Sequence, residues 1–406
     1  ANLAADIREN LRKICTLEEL RRIEVIHLDA WVNQFLRESG FSAQIGYDDV
    51  INPLWEKAVL SANIDLPFET SFYEEEWNRI AIAQEALTLE KYVRATRNGR
   101  GTRLDRKKRM QVWKVFENYQ NLMKENQIRD INTAMYESTK LLQSVGRKPR
   151  YASIIIDEGQ DFSDNAYRLI RALAGEEHPN DIFIVGDSHQ RIYRNHPTLS
   201  KCGINVRGRS SILKINYRTT EEIRKYAFAL LNGISFDDLD ENSDLGDKCQ
   251  SLTHGEKPIV ENFENANDEF DFLLHEVKKL KENGISLTDI CVVARTKKLV
   301  DDYIALFTKA GICAYVIKRN KVDDRSFDGL RVATMHRVKG LEFKYVFIVA
   351  ANSRIIPLPS AINKTDPVSE VESVTSEKCL LYVAMTRAQK GVYITSYGRK
   401  SVFLKS

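Results

Sequence analysis

Apolar side chains recur at helical spacing through the first forty residues. Leu3, Ile7, Leu11 and Ile14 predict one amphipathic helix, and Trp31, Phe35 and Leu36 predict a second that ends at Gly40. Between them the β-branched run 23–26 predicts a short strand. Residues 50–145 change character: no run there predicts a strand, and Trp113, Phe116, Leu122 and Met123 keep helical spacing. From 150 onward short apolar runs alternate with helix-like stretches. The runs 154–156, 182–185, 290–294, 330–333, 345–350 and 392–395 predict strands buried on both faces of a largely parallel sheet, and several end in polar residues. Ligands of such sheets gather at the carboxyl ends of the strands. The expected fold is therefore α/β.

Composition narrows the picture. The chain has 406 residues, 43% of them hydrophobic, which predicts two or three domains with packed cores. Sixty basic against 57 acidic residues leave a net charge of +3, so no overall field draws in polyanions and a nucleic-acid site must come from local clustering. Such a cluster lies at 91–114, where ten Lys or Arg stand against the single acid Asp105. The six cysteines are at least 22 positions apart. That spacing predicts neither a metal cluster nor a disulfide framework, and it points to a reducing, cytoplasmic compartment. No apolar run approaches the ~18 residues of a membrane span, so no membrane role is expected.

The chemistry sits where strands end. The run 154–156 delivers Asp157 and Glu158, and adjacent carboxylates suit nucleotide hydrolysis: one holds Mg²⁺ and the next orients or deprotonates water. The run 182–185 leads into a tight Gly186-Asp187 turn, then Gln190, an amide suited to sensing a phosphate, and Tyr193, an aromatic suited to stacking on a base. Further along stand Asn216-Tyr217-Arg218, then Thr334-Met-His336-Arg-Val-Lys-Gly-Leu-Glu342-Phe, then Tyr382-Val-Ala-Met-Thr-Arg387-Ala.

These five segments, in this order, resemble motifs II to VI of superfamily 1 DNA helicases of the UvrD/Rep type, and Val25-Ile26-His27 is a looser match to the DNA-contacting motif Ib. The resemblance covers most of 1–40 and all of 150–396 and is weak over 50–145. It implies two RecA-like (P-loop NTPase type) parallel-sheet domains, ATP and Mg²⁺ as cofactors, and a motor on single-stranded or junction DNA moving 3′ to 5′. It assigns Asp157 to the metal, Glu158 to the catalytic base, Gln190 to coupling between nucleotide and DNA, and Arg218 and Arg387 to arginine fingers. Guanidinium forks match phosphate oxygens and neutralise transition-state charge. Tyr217 would stack on adenine and Glu342 would bind the ribose, with the Gly186-Asp187 turn counted in the nucleotide site. His27, Tyr193, Thr334 and His336 would contact the strand. Arg106, Lys107, Lys108 and Arg109, in the basic run, would contact nucleic-acid backbone.

The sequence also departs from that pattern. It contains no Gly-x-x-x-x-Gly-Lys-Ser/Thr loop and starts at Ala1, so the chain is expected to begin inside the first motor domain and to be ATPase-inactive alone. Only 115 residues separate Arg218 from Thr334, too few for the large accessory domain of UvrD and Rep. Arg194-Asn195-His196 stands where a tryptophan often follows motif III. The expected layout is a first motor domain at 1–50 and 140–212, a basic helical insertion at 51–139, and a second motor domain at 213–406. Two other readings remain open: a non-hydrolysing helicase-like nucleic-acid-binding or defence subunit, and an RNA helicase of the same superfamily.

Overall fold

The computed structural model describes residues 2–144, 151–192, 197–237, 243–244, 249–318, 323–324 and 326–404. The opening helices are α1 (Asn2–Ile14) and α2 (Leu28–Glu38). Strand β1 (Gln44–Gly46) leads into the insertion, which includes α3 (Asp48–Ala62), α4 (Thr70–Glu76) and α5 (Arg106–Glu125) and closes at β2 (Ile128–Asp130). Helix α6 (Ile131–Ser144), β3 (Ile154–Ile156), α7 (Asp164–Ala174) and β4 (Ile182–Ile184) complete the part expected as the first motor domain. The part expected as the second motor domain contains β5 (Ile259–Phe263), α8 (Ala266–Glu282), β6 (Ile290–Ala294), α9 (Lys297–Lys309), β7 (Ala314–Val316), β8 (Leu330–Thr334), β9 (Phe343–Ile348), α10 (Pro367–Met385) and β10 (Ala388–Tyr397).

The second motor domain realises the expected doubly covered sheet. Six strands run in the order β7-β8-β6-β9-β10-β5, and every pairing is parallel. Because side chains alternate along a strand, Cys291 and Val293 enter the core beneath α10. Ile290, Val292 and Ala294 enter the core beneath α8 and α9. All five residues of β6 are buried.

In the first motor domain the described sheet is the parallel pair β3–β4. One face packs on α7 through Ile156, Tyr167 and Ile170. The other leaves Ile155 75% and Phe183 63% exposed. Burial on both faces therefore does not hold here, because no described element covers that side.

Three further expectations are corrected. Residues 23–26 form no strand: they have no neighbouring strand among the described residues, and Arg8 donates to the Val25 carbonyl instead. The insertion is not strand-free, because β2 pairs in parallel with β1 from Gln44–Ile128 to Gly46–Asp130 and ties its two ends together. Helix α6 runs across the expected boundary at 139, and its Ala134 and Met135 pack with Trp31 and Leu169. As packed, the insertion ends at Asp130.

The insertion is built on aromatics: Trp55 stacks on Tyr119 at 3.7 Å, and Trp77, Tyr92, Trp113 and Phe116 surround them. The same core divides the basic run, because some of its cations are buried in ion pairs and hydrogen bonds. Arg97 forms a bidentate pair with the fully buried Glu76, at 2.6 and 2.9 Å. Arg100 reaches Glu75 and Glu76. Arg109 donates to the carbonyls of Tyr92, Val93 and Ala95. Asp105 caps α5, whose macrodipole disfavours cations in its first turn, yet Arg106, Lys107 and Lys108 stand there exposed.

Removing one partner from a dry ion pair leaves an uncompensated charge. Arg97→Ala should therefore destabilise the insertion by about 3–5 kcal/mol, read as an earlier urea transition by tryptophan fluorescence. Lys107→Ala, on the solvated side of α5, should leave that transition in place.

Candidate nucleotide and strand site

The Asp157–Asp161 turn follows β3 directly. Glu158 adopts the left-handed conformation (φ 56°, ψ 39°), which is uncommon outside glycine and concentrates at functional sites. Its amide donates to Asp157 Oδ1 at 2.9 Å. The conformation fits a tight space, because a Cβ on the next residue, Gly159, would lie 2.6 Å from Ile184 and 2.8 Å from the Tyr167 hydroxyl. Gly186 is equally constrained, since a Cβ there would meet Gln160 Oε1 at 2.7 Å.

These turns are joined by a chain of side-chain hydrogen bonds. Gln160, fully buried, donates to Glu158 Oε2 at 2.5 Å and accepts from the Asp187 amide at 3.0 Å. Asp187 accepts from His189 and from Gln190 Nε2, the latter at 2.9 Å. Burial opposes ionisation of Asp187, but the hydrogen bonds from His189 and Gln190 outweigh it and hold its carboxyl below the usual range. Gln190 Oε1 then accepts from Arg387 Nη2 at 2.7 Å, which crosses from the first motor domain to the second. Arg387 is 1% exposed. Burial, then the neighbouring Arg218, lowers its pKa to about 10, so it remains a cation at neutral pH.

Lys339 sits within the motif at 334–343, where sequence reasoning gives it no role, and the fold supplies one. Its Nζ lies 2.6 Å from Asp161, 3.2 Å from Glu158 and 3.0 Å from the Gln190 carbonyl. Burial raises the Asp161 carboxyl to about 6, against the opposing pull of Lys339. Gln160 and Asp161 likewise gain their roles from the fold. Their places two and three positions beyond Glu158 in one tight turn are the signal that the sequence offers for them.

Asp157 is exposed at the strand end, with Glu158 and Asp161 in the same turn. Carboxylate oxygens grouped in this way have the hard-donor chemistry that Mg²⁺ takes. Asp157 is the residue that would hold the ion. Among the described residues no group of three or more His, Cys, Asp or Glu side chains has the arrangement of a metal cluster.

In the second motor domain Tyr217, Arg218, Glu342, Gln389, His254 and Lys390 line a cleft of about 970 Å³. Tyr217 is 75% exposed, its ring outside the core. Arg218 Nε donates to Glu342 Oε1 at 2.6 Å, and Gln389 donates to the other carboxylate oxygen at 3.1 Å. Burial would raise the Glu342 pKa, but Arg218 and Gln389 outweigh it and keep the group ionised. The expected stacking residue, ribose carboxylate and one finger thus share one cleft.

The expected strand contacts are more dispersed. Thr334 ends β8, half-buried. His336 sits beside the buried Arg295–Glu377 pair (2.6 and 3.0 Å). His27 caps α2, its Nδ1 accepting from the Asp29 amide. Tyr193 and residues 194–196 lie outside the described residues. Of the four proposed backbone contacts in the insertion, Arg106, Lys107 and Lys108 are exposed. Arg109 is corrected to a packing role, because its guanidinium is committed to main-chain carbonyls.

Burial, then the Arg295 cation, lowers the His336 pKa to about 4, so the ring is neutral at pH 7 and presents an N–H rather than a charge. The unfolded chain binds this proton near pH 6.5. The stability His336 contributes is therefore complete above that pH and is lost as pH falls from about 6.5 to about 4. Among the seven histidine NMR signals, one should titrate near pH 4 and vanish in His336→Gln. A midpoint near 6.5 for that signal would contradict the burial.

Comparisons with known proteins agree with this geometry. A family model described as the UvrD/REP helicase N-terminal domain matches residues 2–196, and one described as the UvrD-like helicase C-terminal domain matches 211–327 and 319–399. A probable DNA helicase of Mycoplasma pneumoniae is 25% identical over 296 residues, covering 70% of this chain and 51% of that protein. The putative ATP-dependent DNA helicase YjcD of Bacillus subtilis is 32% identical over 121 residues, 30% of this chain and 15% of that protein. The ATP-dependent DNA helicase PcrA of Staphylococcus aureus is 24% identical over 263 residues, 61% of this chain and 33% of that protein. The chain thus spans about half the length of the first of these relatives and less of the others. With both halves matched in order, and with the motif residues of both motor domains converging on one hydrogen-bonded seam, the chain belongs to the UvrD/REP helicase family.

Proposed function

We propose that this chain forms part of an ATP-dependent motor that moves along single-stranded DNA, 3′ to 5′ as the family resemblance implies. The observation that carries the reading is the hydrogen-bonded chain Glu158–Gln160–Asp187–Gln190–Arg387, which joins the carboxylate turn of one motor domain to a buried cation of the other. In this reading Glu158 takes the proton of the attacking water, and Gln160 holds its carboxylate in place. Arg387 and Arg218 face the phosphates, and Gln190 passes a change at that site towards the strand. Lys339 balances Glu158 and Asp161 until nucleotide arrives. Tyr217 and Glu342 hold base and ribose. Mg²⁺, when bound at Asp157, would neutralise charge on the phosphate oxygens. Stacking and backbone contacts do not read the sugar, so RNA is the alternative substrate. Comparing ATPase stimulation by single-stranded DNA and RNA in a polypeptide that also supplies a phosphate loop separates the two.

No phosphate loop occurs among the 406 residues, and the backbone amides and Lys of such a loop are what cradle a nucleotide's phosphates. The chain alone should show no ATP turnover above background. In a polypeptide that also supplies the loop, Glu158→Gln should leave ATP binding intact and cut DNA-stimulated turnover by about 10²–10⁴. Full turnover in that variant would remove Glu158 from the base role.

The insertion's exposed cations are proposed to hold nucleic-acid backbone. Each phosphate that a Lys or Arg neutralises releases condensed counterion. Replacing Arg106, Lys107 and Lys108 with Gln should flatten the dependence of log affinity on log salt by about 0.7–0.9 for each phosphate no longer neutralised. An unchanged slope on single-stranded, duplex and junction DNA would make them a solvated surface.

A further inference from the structure

The second motor domain meets the rest of the chain at both ends of α10. At its start three positions spaced by three residues face the insertion, as residues on one side of a helix do. Asp366 caps α10 by accepting from Val368 and Ser369, and it also accepts the Gly101 and Thr102 amides of the insertion at 3.1 and 2.7 Å. Ser369 donates to Glu75 at 2.6 Å and accepts from Arg100 at 3.0 Å. Glu372 receives both terminal nitrogens of Arg79, at 2.6 and 3.0 Å. The contact is dry and specific, since Asp366, Ser369 and the Arg100 side chain are 0% exposed. At the other end Arg387 reaches Gln190 of the first motor domain, about 30 Å along a helix axis from Asp366 at 1.5 Å per residue.

His336 sits between these contacts, beside the Arg295–Glu377 pair at the middle of α10. The insertion runs directly into α6, whose Asn132 donates to Asn78 of the insertion at 3.1 Å and whose Ala134 and Met135 pack with Trp31 and Leu169 of the first motor domain. The three bodies therefore close into a loop of contacts. The turn at Gly101–Thr102 runs within a few residues into exposed Arg103, Arg106, Lys107 and Lys108, which places cations beside the contact for a polyanion to meet.

Resting on the nucleic-acid reading above, we propose that the insertion and the start of α10 form a clamp that encloses a bound single strand, so that the strand threads by a free end or loads only when the clamp opens. A closed passage lets a motor keep hold of its track whatever the base sequence. It follows that a single-stranded circle exchanges only through clamp opening.

The test locks the clamp in this 406-residue chain. In a background with Cys15, Cys249 and Cys313 replaced by Ser, Arg79→Cys and Glu372→Cys are joined with a short bis-maleimide. The remaining cysteines are buried. A second pair, Thr102→Cys with Thr365→Cys, locks the same contact from neighbouring residues. Before locking, both variants should bind circular and linear single-stranded DNA alike. Locked first, they should lose the circle and keep linear DNA. Locked on DNA, they should stay on the circle through a high-salt wash and slide off the linear strand. Equal binding of both DNAs by locked protein, with no salt-resistant retention, would overturn the enclosure. Failure of the unlocked protein to bind either DNA would overturn the nucleic-acid reading itself.

Discussion

Burying a guanidinium in a protein interior requires acceptors on every side that carries an N–H, because the desolvation cost is otherwise unrecovered. Arg387 meets part of that requirement across a domain boundary: its Nη2 donates to Gln190 of the first motor domain, and its Nε to the Val383 carbonyl of its own helix. The register of the two motor domains therefore depends on this contact. Gln190 is in turn held by Asp187, and Asp187 by Gln160 and His189. A shift of one domain by an ångström or two would strand a buried charge, so the seam favours discrete arrangements over gradual ones.

Lys339 adds a second constraint on the same seam. Three acceptors converge on its ammonium group, two carboxylates and a carbonyl, all from the first motor domain. This cation pairs with Glu158 and opposes the burial that raises the Asp161 carboxyl. Anything that replaces Lys339 there must bring positive charge of its own. The groups along this seam are thus coupled through charge balance as well as through hydrogen bonds.

The insertion obeys the same logic at a different place. Glu76 lies at the centre of an aromatic core and is fully buried, so it needs Arg97, Arg100 and the Tyr92 hydroxyl around it. Arg100 then extends this network to Ser369 on α10. A polar network in the middle of a hydrophobic domain thereby surfaces as the contact with the second motor domain, and α10 spans from that contact to Arg387.

Much of this was legible in the residues themselves. The β-branched runs of the second motor domain announced a parallel sheet covered on both faces, because a strand packed from two sides has no polar alternation to show. Motif order identified the family, and Asp157, Glu158, Gln190, Arg218, Glu342 and Arg387 fell at strand or helix ends where the fold brings them together. Local pattern could not say which of ten cations in one stretch face inward, since Arg97, Arg100 and Arg109 differ from Arg106 only in the partners that packing gives them. Nor could it show that residues 23–26 lack a neighbouring strand, that β2 completes a pair with β1 more than eighty residues away, or that one face of β3–β4 is bare. Lys339 and the start of α10 gained their roles from residues more than a hundred positions distant. Periodicity and residue type alone determined the parallel sheet of the second motor domain and the order of the motifs that shows the family. The tertiary structure decided which charges are buried and therefore paired, because desolvation depends on neighbours that sequence distance does not reveal.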